Sequence, residues 1–330
     1  MKVVLTIDTE GDGAWTQKDK VTVDNLRALP RFQALCERYG MKPTYLCTYE
    51  VVRAETFAPL IAWQNDGRCE VGAHLHPWTN PPFVRQGAVD IDPGEYPGYP
   101  SELTPDRFHE KMRVLGGLIT SRTGRAPTSY RAGRWGFSAE QIPVLLELGY
   151  IVDTSVTPLI DRRGEKGVRA AGPDFRNAPV APYRLDANDI CAPGDTRLWE
   201  VPVTIVHSSP AMQKSAAVRG AWSKIRGGSG AGLLNRAFSL EPQWFRPYPS
   251  MDAKKLARVY QCARDLGLRV VTMMLHSSEL LAGASPSFPD EPSIEKVFAM
   301  LEGTFAQLSA DGCEGVTLSD FVRTDLPATA

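Results

Sequence analysis

Short β-rich runs alternate with longer helical patterns along most of the chain, and this alternation restricts the fold more than any other feature. Val3–Ile7 precedes Leu26–Tyr39, Thr44–Cys47 precedes Pro59–Asp66, and Glu70–Ala73 precedes Phe108–Ile119. Ser129–Arg131 is followed by Glu140–Leu148, then by the runs Ile151–Asp153 and Trp199–Val203. Leu256–Leu266, Val270–Leu275, Ile294–Leu308 and Gly315–Leu318 complete the series. Strand followed by helix, repeated, implies a parallel sheet. Seven or eight such runs predict an α/β fold: a distorted (β/α) barrel of about seven parallel strands. Residues 77–105, 159–198 and 208–250 break the pattern, and connections of that length predict long functional loops at the barrel mouth. No linker divides the chain, so one domain over 1–330 is expected, with a loop insertion at about 208–250.

With 330 residues, 43% of them hydrophobic and 23% charged, the chain can bury a large core. The formal charge of −1 conceals no long acidic or basic tail, which argues against nucleic acid and membrane surfaces as partners. Asp8 and Glu10 interrupt the first apolar run before it could serve as a secretion signal, and no window of about 18 apolar residues exists to span a membrane. A cytoplasmic location is expected. Cys36, Cys47, Cys69, Cys191, Cys262 and Cys313 are widely spaced without a CxxC pair, so buried free thiols are expected rather than a disulfide framework or thiolate metal site.

Several putative strands end on ionisable residues: TID at Asp8, GAH at His74, SYR at Arg131 and VVTMMLH at His276. Catalytic groups of β/α barrels collect at such carboxyl ends, so these four should meet at the mouth. In EVGAHLHPW, His74 and His76 fall on one side of an extended chain and could reach one ion. The same spacing puts Asp8 and Glu10 on a common face, a base and a metal ligand side by side. Read alone, DTEGDG also imitates the start of an EF-hand loop with Asp19 at its twelfth position, but a strand precedes it instead of a helix.

TIDTE, EVGAHLHPW, SYRAGRWG, GYIVDTSV and MMLHSSEL, in this order, resemble the motifs of the polysaccharide deacetylases, the NodB-homology carbohydrate esterases. The resemblance implies a metal-dependent hydrolase that removes N- or O-linked acetyl groups from glycans. It also implies Asp8 as general base, Arg131 as the group orienting that base, and His276 as general acid. Asp153 matches an acidic position that supports the acid or the barrel mouth. Two positions depart from the commonest pattern: Thr9 stands where a metal-binding Asp is usual, and Trp78 where the second His would fall. Glu10 and His76 would compensate, giving Glu10, His74 and His76 as ligands of a divalent ion, Zn²⁺ foremost, with Co²⁺ or Ni²⁺ also suited to mixed N/O donors. Trp15, Trp78 and Trp135 adjoin the motifs and are expected to bind the sugar; His109 and His207 are given no role. The expected substrate is an acetylated sugar, glycan or glycolipid. The alternatives are an amide of a small molecule, or a carbohydrate-binding relative without activity. Lys214, Arg219, Lys224, Arg226, Arg236 and Arg246 in the insertion face the single acid Glu241, a local basic excess that could attract an acidic or phosphate-bearing substrate.

Overall fold

The computed structural model describes residues 1–14, 21–83, 92, 94–225, 234 and 240–327. Its strands are β1 (Lys2–Thr9), β2 (Pro43–Cys47), β3 (Glu70–Leu75), β4 (Ser129–Ala132), β5 (Val152–Asp153), β6 (Tyr183–Arg184), β7 (Trp199–Glu200), β8 (Ile205–Val206), β9 (Gln243–Trp244), β10 (Val270–His276) and β11 (Glu314–Val316). Nine of these form one curled sheet in the order β10-β1-β2-β3-β4-β5-β7-β6, with β11 pairing the start of β1. All its pairings are parallel except β6 with β7. The expected strands are therefore present, while β6 and β9 come from segments read as irregular, and β8, just past the expected run Trp199–Val203, pairs antiparallel with β9. The sheet is a partial barrel. The chain after β7 spans the gap: Val201 N–H donates to Asp153 O at 2.9 Å, and Thr204 N–H donates to Thr272 O of β10 at 3.0 Å.

The two-residue period of β1 sorts its side chains. Val3, Leu5 and Ile7 face outward into the cluster made with the helices, which includes Phe32, Phe108 and Phe305. Burying each such aliphatic side chain contributes about 1.5–3 kcal/mol. The alternate residues Val4, Thr6 and Asp8 face inward. Val4 closes the barrel floor with Val152, Trp199, Val201 and Val270, beneath Leu318 and Phe321 of the helix Leu318–Asp325. Thr6 hydrogen-bonds Met273 O one layer up, and Asp8 stands at the mouth. β3 obeys the same rule: Val71, Ala73 and Leu75 join the outer cluster, leaving Gly72 and His74 inside.

Register then decides which strand ends meet. Asp8 of β1 pairs with His276 of β10, and His74 of β3 pairs with Arg131 of β4. The segment after β3 is held by Lys111 of the helix Pro105–Thr123, which is fully buried. Its ammonium donates to the carbonyls of Pro77 (2.8 Å), Asn80 (2.5 Å) and Pro82 (3.0 Å), and it pairs with Glu95 at 2.8 Å. All six cysteines are free; Cys36, Cys47 and Cys69 are buried as expected, whereas Cys191, Cys262 and Cys313 are partly exposed because they lie outside the inner packing layers. Among the described residues no helix is long and apolar enough to cross a membrane.

Candidate active site

The inward face of β1 continues past the strand. Glu10 is fixed there by its own backbone: its N–H donates to Ser277 Oγ at 3.2 Å, and its carbonyl accepts from Asn25 Nδ2 at 2.9 Å. Asp12 accepts from the backbone N–H groups of Asp24 and Asn25 at 2.6 and 3.0 Å, so it caps the next turn rather than facing a calcium loop. Asp19 and Trp15 lie outside the described residues.

Glu10, His74 and His76 converge with their ligand atoms all within 4.8 Å of one another, the one such trio of His, Cys, Asp or Glu among the described residues. Glu10 Oε2 lies 3.2 Å from His76 Nε2 and 3.7 Å from His74 Nε2. Two donors about 2.1 Å from one tetrahedral ion stand about 3.4 Å apart, so this spacing fits a shared divalent ion. His74 Nδ1 lies 3.0 Å from the Arg131 carbonyl, which can only accept, so Nδ1 carries a proton and in the neutral ring Nε2 is the donor atom left for an ion. Burial lowers this imidazole, but Asp8 and Glu10 outweigh it and raise His74 above its ordinary value, so an ion at Nε2 would displace a proton. Burial, and then the neighbouring His74, push His76 down to about 3, leaving it neutral as ligation requires. Gly133 makes the approach of His76 possible, because a Cβ there would stand 2.4 Å from the imidazole Cδ2.

Asp8 is 3% exposed, and its Oδ1 pairs with Arg131 Nη1 at 2.5 Å. Burial alone would raise this carboxyl, but Arg131, with His74 and His276, outweighs it and holds Asp8 at about 2. Arg131 is fully buried and spends its donors widely: Nε on Thr154 O, and Nη2 on Thr6 Oγ1 and Thr154 Oγ1. His276 Nε2 faces the same centre, 3.8 Å from Asp8 Oδ2 and 3.9 Å from Glu10 Oε1. On its other side, Nδ1 lies 2.8 Å from Arg246 Nη2, and Glu279 Oε2 accepts from the His276 backbone N–H at 3.0 Å. Arg246 and Glu279 are themselves paired at 2.5 Å.

From the sequence, Glu279 had no role and Arg246 counted only among the basic residues of the insertion. Glu279 was readable as the third residue after His276, the spacing that lets a carboxylate reach back to the residue opening a turn. Arg246 belongs to the basic insertion, but it is 7% exposed and part of the pocket wall rather than the surface. Lys214 and Lys224 are exposed, Arg219 folds back onto the carbonyls of Met212 and Gln213, and Arg226 and Arg236 lie outside the described residues.

These groups line a cavity of about 560 Å³ at the mouth. Trp135 joins Trp244 and Tyr248 on one wall, with ring centroids 5.9 and 6.1 Å apart in succession. Trp78 is 3% exposed and lies flat on His76, with centroids 4.5 Å apart and planes at 21°, so it backs that imidazole directly. A neighbouring cavity of about 450 Å³ is lined mainly by apolar residues, including Met251, Phe288 and Val297, and holds no comparable polar cluster.

Asp153 is buried below the site, facing Glu200 across the β5–β7 register rather than reaching His276. It accepts from Ser155 N–H and Oγ, and Ser155 Oγ accepts in turn from Ala132 N–H of β4. Burial raises both carboxyls, with Asp153 further raising Glu200. Since Glu200 keeps its proton in the native state to higher pH than in the unfolded chain, its contribution to stability declines as pH rises above the unfolded value of 4.5. Glu200→Gln fixes the neutral form and should raise the melting temperature by a few degrees near pH 8 while changing it little near pH 4. Equal shifts at both values would show that the carboxyl does not titrate on unfolding.

No family model matches the chain, and no curated protein matches it. Among solved structures, it is similar to a Parabacteroides distasonis protein named as a candidate glycoside hydrolase/deacetylase, at 13% identity over 97% of this chain and 70% of the other, with a TM-score of 0.60. It is also similar to a candidate polysaccharide deacetylase from Mycobacterium smegmatis, at 15% identity over 98% and 89% of the two chains, with a TM-score of 0.54. These likenesses establish the fold, which is the one the motif resemblance implies.

Proposed function

We propose that the chain belongs to the polysaccharide deacetylases and acts as a metal-dependent hydrolase on an acetylated sugar. The observation that carries this reading is the convergence of Glu10, His74 and His76 beside an Asp8 held ionised by Arg131. Glu10, His74 and His76 would hold the ion, Zn²⁺ by the chemistry of one carboxylate and two imidazoles. When bound, a divalent ion supplies polarisation of an acyl carbonyl and acidification of a water.

The remaining steps belong to the side chains. Asp8 accepts the proton of the attacking water, because its anionic form persists through the neutral range. Arg131 keeps that carboxylate oriented and charged. His276, on the opposite side of Glu10, delivers a proton to the departing nitrogen or oxygen, and Arg246 with Glu279 fixes its ring. Trp135, which lines the cavity with Arg131 and Arg162 over its ring, is the first candidate to contact the sugar, with Trp78 and Trp15 as further candidates. A cavity of about 560 Å³ suits one or two sugar units better than a long polymer lying in a groove. We read residues 1–330 as a single domain whose 208–250 insertion returns Arg246 and Tyr248 to this cavity, with Trp244 packed against Trp135.

Chelator-treated protein should lose acetate release from acetylated sugars and regain it with Zn²⁺ or Co²⁺. Metal content by elemental analysis, measured on the same samples, checks the result. Full activity in protein confirmed to be metal-free would sink the assignment.

A further inference from the structure

The turn after β4 bears a feature that acyl hydrolysis does not require. In Ala-Gly-Arg-Trp-Gly, Arg134 and Trp135 both adopt left-handed backbone conformations, with φ of 54° and 64°. Non-glycine residues held there cost on the order of 1–3 kcal/mol each and persist where the surroundings enforce them, often at ligand sites. Here both strained residues line the cavity.

Charge makes this wall distinctive. Arg134 donates to Pro97 O and, at 3.0 Å, to Lys166 O, and it lies over the Tyr99 ring at 4.4 Å. None of these partners carries a charge. Arg162 is anchored on the same turn through Glu165 at 2.8 Å, but that carboxylate is 48% exposed while the guanidinium side chain is only 11% exposed. A ligand could therefore share Arg162 without leaving a buried charge unpaired. Arg246 adds a buried Nε–H that has no hydrogen-bond partner among the described residues. Four lining carboxylates (Asp8, Glu10, Glu165 and Glu279) balance Arg134, Arg162, Arg246 and the Arg131 behind Asp8. A divalent ion in the trio would leave two positive charges uncancelled in a partly closed cavity, which focuses the field on an anion.

We propose that Arg134 and Arg162 recognise an anionic group, phosphate or carboxylate, on the sugar whose acyl group is presented to Asp8 and the metal ligands. This rests on the hydrolase reading for its kinetic test and on the cavity alone for its binding test. Guanidinium is suited to the task because its remaining N–H donors match the oxygens of either anion.

The kinetic test uses zinc-loaded protein with N-acetylglucosamine, its 1- and 6-phosphates, and its uronic acid. At least one anionic substrate should exceed the neutral sugar in kcat/KM by about tenfold or more, and whether a phosphate or the uronate does so identifies the group. Arg134→Gln and Arg162→Gln should each bring that ratio close to one, with thermal melts confirming that at least one variant folds. Ratios near one in the wild type would overturn the proposal. So would a preference unchanged in both variants, since the anion would then be held by the metal alone. If no substrate turns over, the hydrolase reading fails, and calorimetry decides the present point separately. Glucose 6-phosphate or glucuronate should bind about tenfold or more tighter than glucose and lose that margin in the variants; equal binding of all three would overturn the proposal.

Discussion

Asp8→Asn should retain a full complement of metal and lose turnover by about 10²–10⁴-fold, the usual contribution of a positioned base. Glu10→Ala, His74→Ala and His76→Ala should lose metal and turnover together. The difference follows from placement. Asp8 Oδ1 is committed to Arg131, whereas Glu10 Oε2 faces both imidazoles and is the natural third donor. Removing a donor weakens the site itself, while removing the base leaves the donors in place. Metal content and acetate release need to be read on the same preparations. If Glu10→Ala stays fully loaded while Asp8→Asn comes out empty, the two carboxylates have exchanged roles. If His76→Ala alters neither quantity, the second imidazole is not a ligand.

Replacing the arginine should have the largest effect on stability. Arg131→Met leaves the buried Asp8 with only the imidazoles of His74 and His276 near it and strips donors from Thr6 and Thr154, so a loss of about 3–5 kcal/mol is expected. For a chain of 330 residues that corresponds to a fall in melting temperature of roughly 4–7 °C. Combining it with Asp8→Asn removes the stranded charge and should restore part of the loss. A single variant that melts within a degree or two of the wild type would show that the pair does not clamp the barrel. A double variant no better than the single would place the cost in the lost Thr contacts instead.

Much of this arrangement was legible in the chain. Val3-Val4-Leu5-Thr6-Ile7-Asp8 is apolar on its outward positions and carries Val4, Thr6 and Asp8 inward, so the layer each residue occupies follows from the period of a strand. The pairing of His74 with Arg131 was implicit in two strand ends but needed the register to become a contact. What sequence could not supply depends on distant segments meeting. Arg246 is separated from His276 by 30 positions and sits among other basic residues, so nothing local distinguishes a pocket arginine from a solvated one. Arg162 becomes a wall residue only because a long irregular segment folds over Trp135. The two glycines flanking Arg134 and Trp135 did mark a close approach. A Cβ at Gly136 would meet Tyr99 at 2.6 Å, as one at Gly133 would meet His76. Which approach each permits is a tertiary fact.

Lys111 grips the chain after β3 by main-chain oxygens, at Pro77, Asn80 and Pro82, and these exist whatever side chains the segment carries. The rim beside His76 is thus anchored largely through its main chain, with Asn80 Nδ2 donating back to Lys111 O at 2.9 Å. The Phe83 ring, 5.5 Å from the ammonium, adds to this hold, while a change at Lys111 strands the buried carbonyls of Pro77 and Asn80 and leaves Pro82 O and Glu95 to Arg107 alone. Where the rim sits is therefore set chiefly from outside it, by one lysine on a helix that takes no part in the chemistry at the mouth.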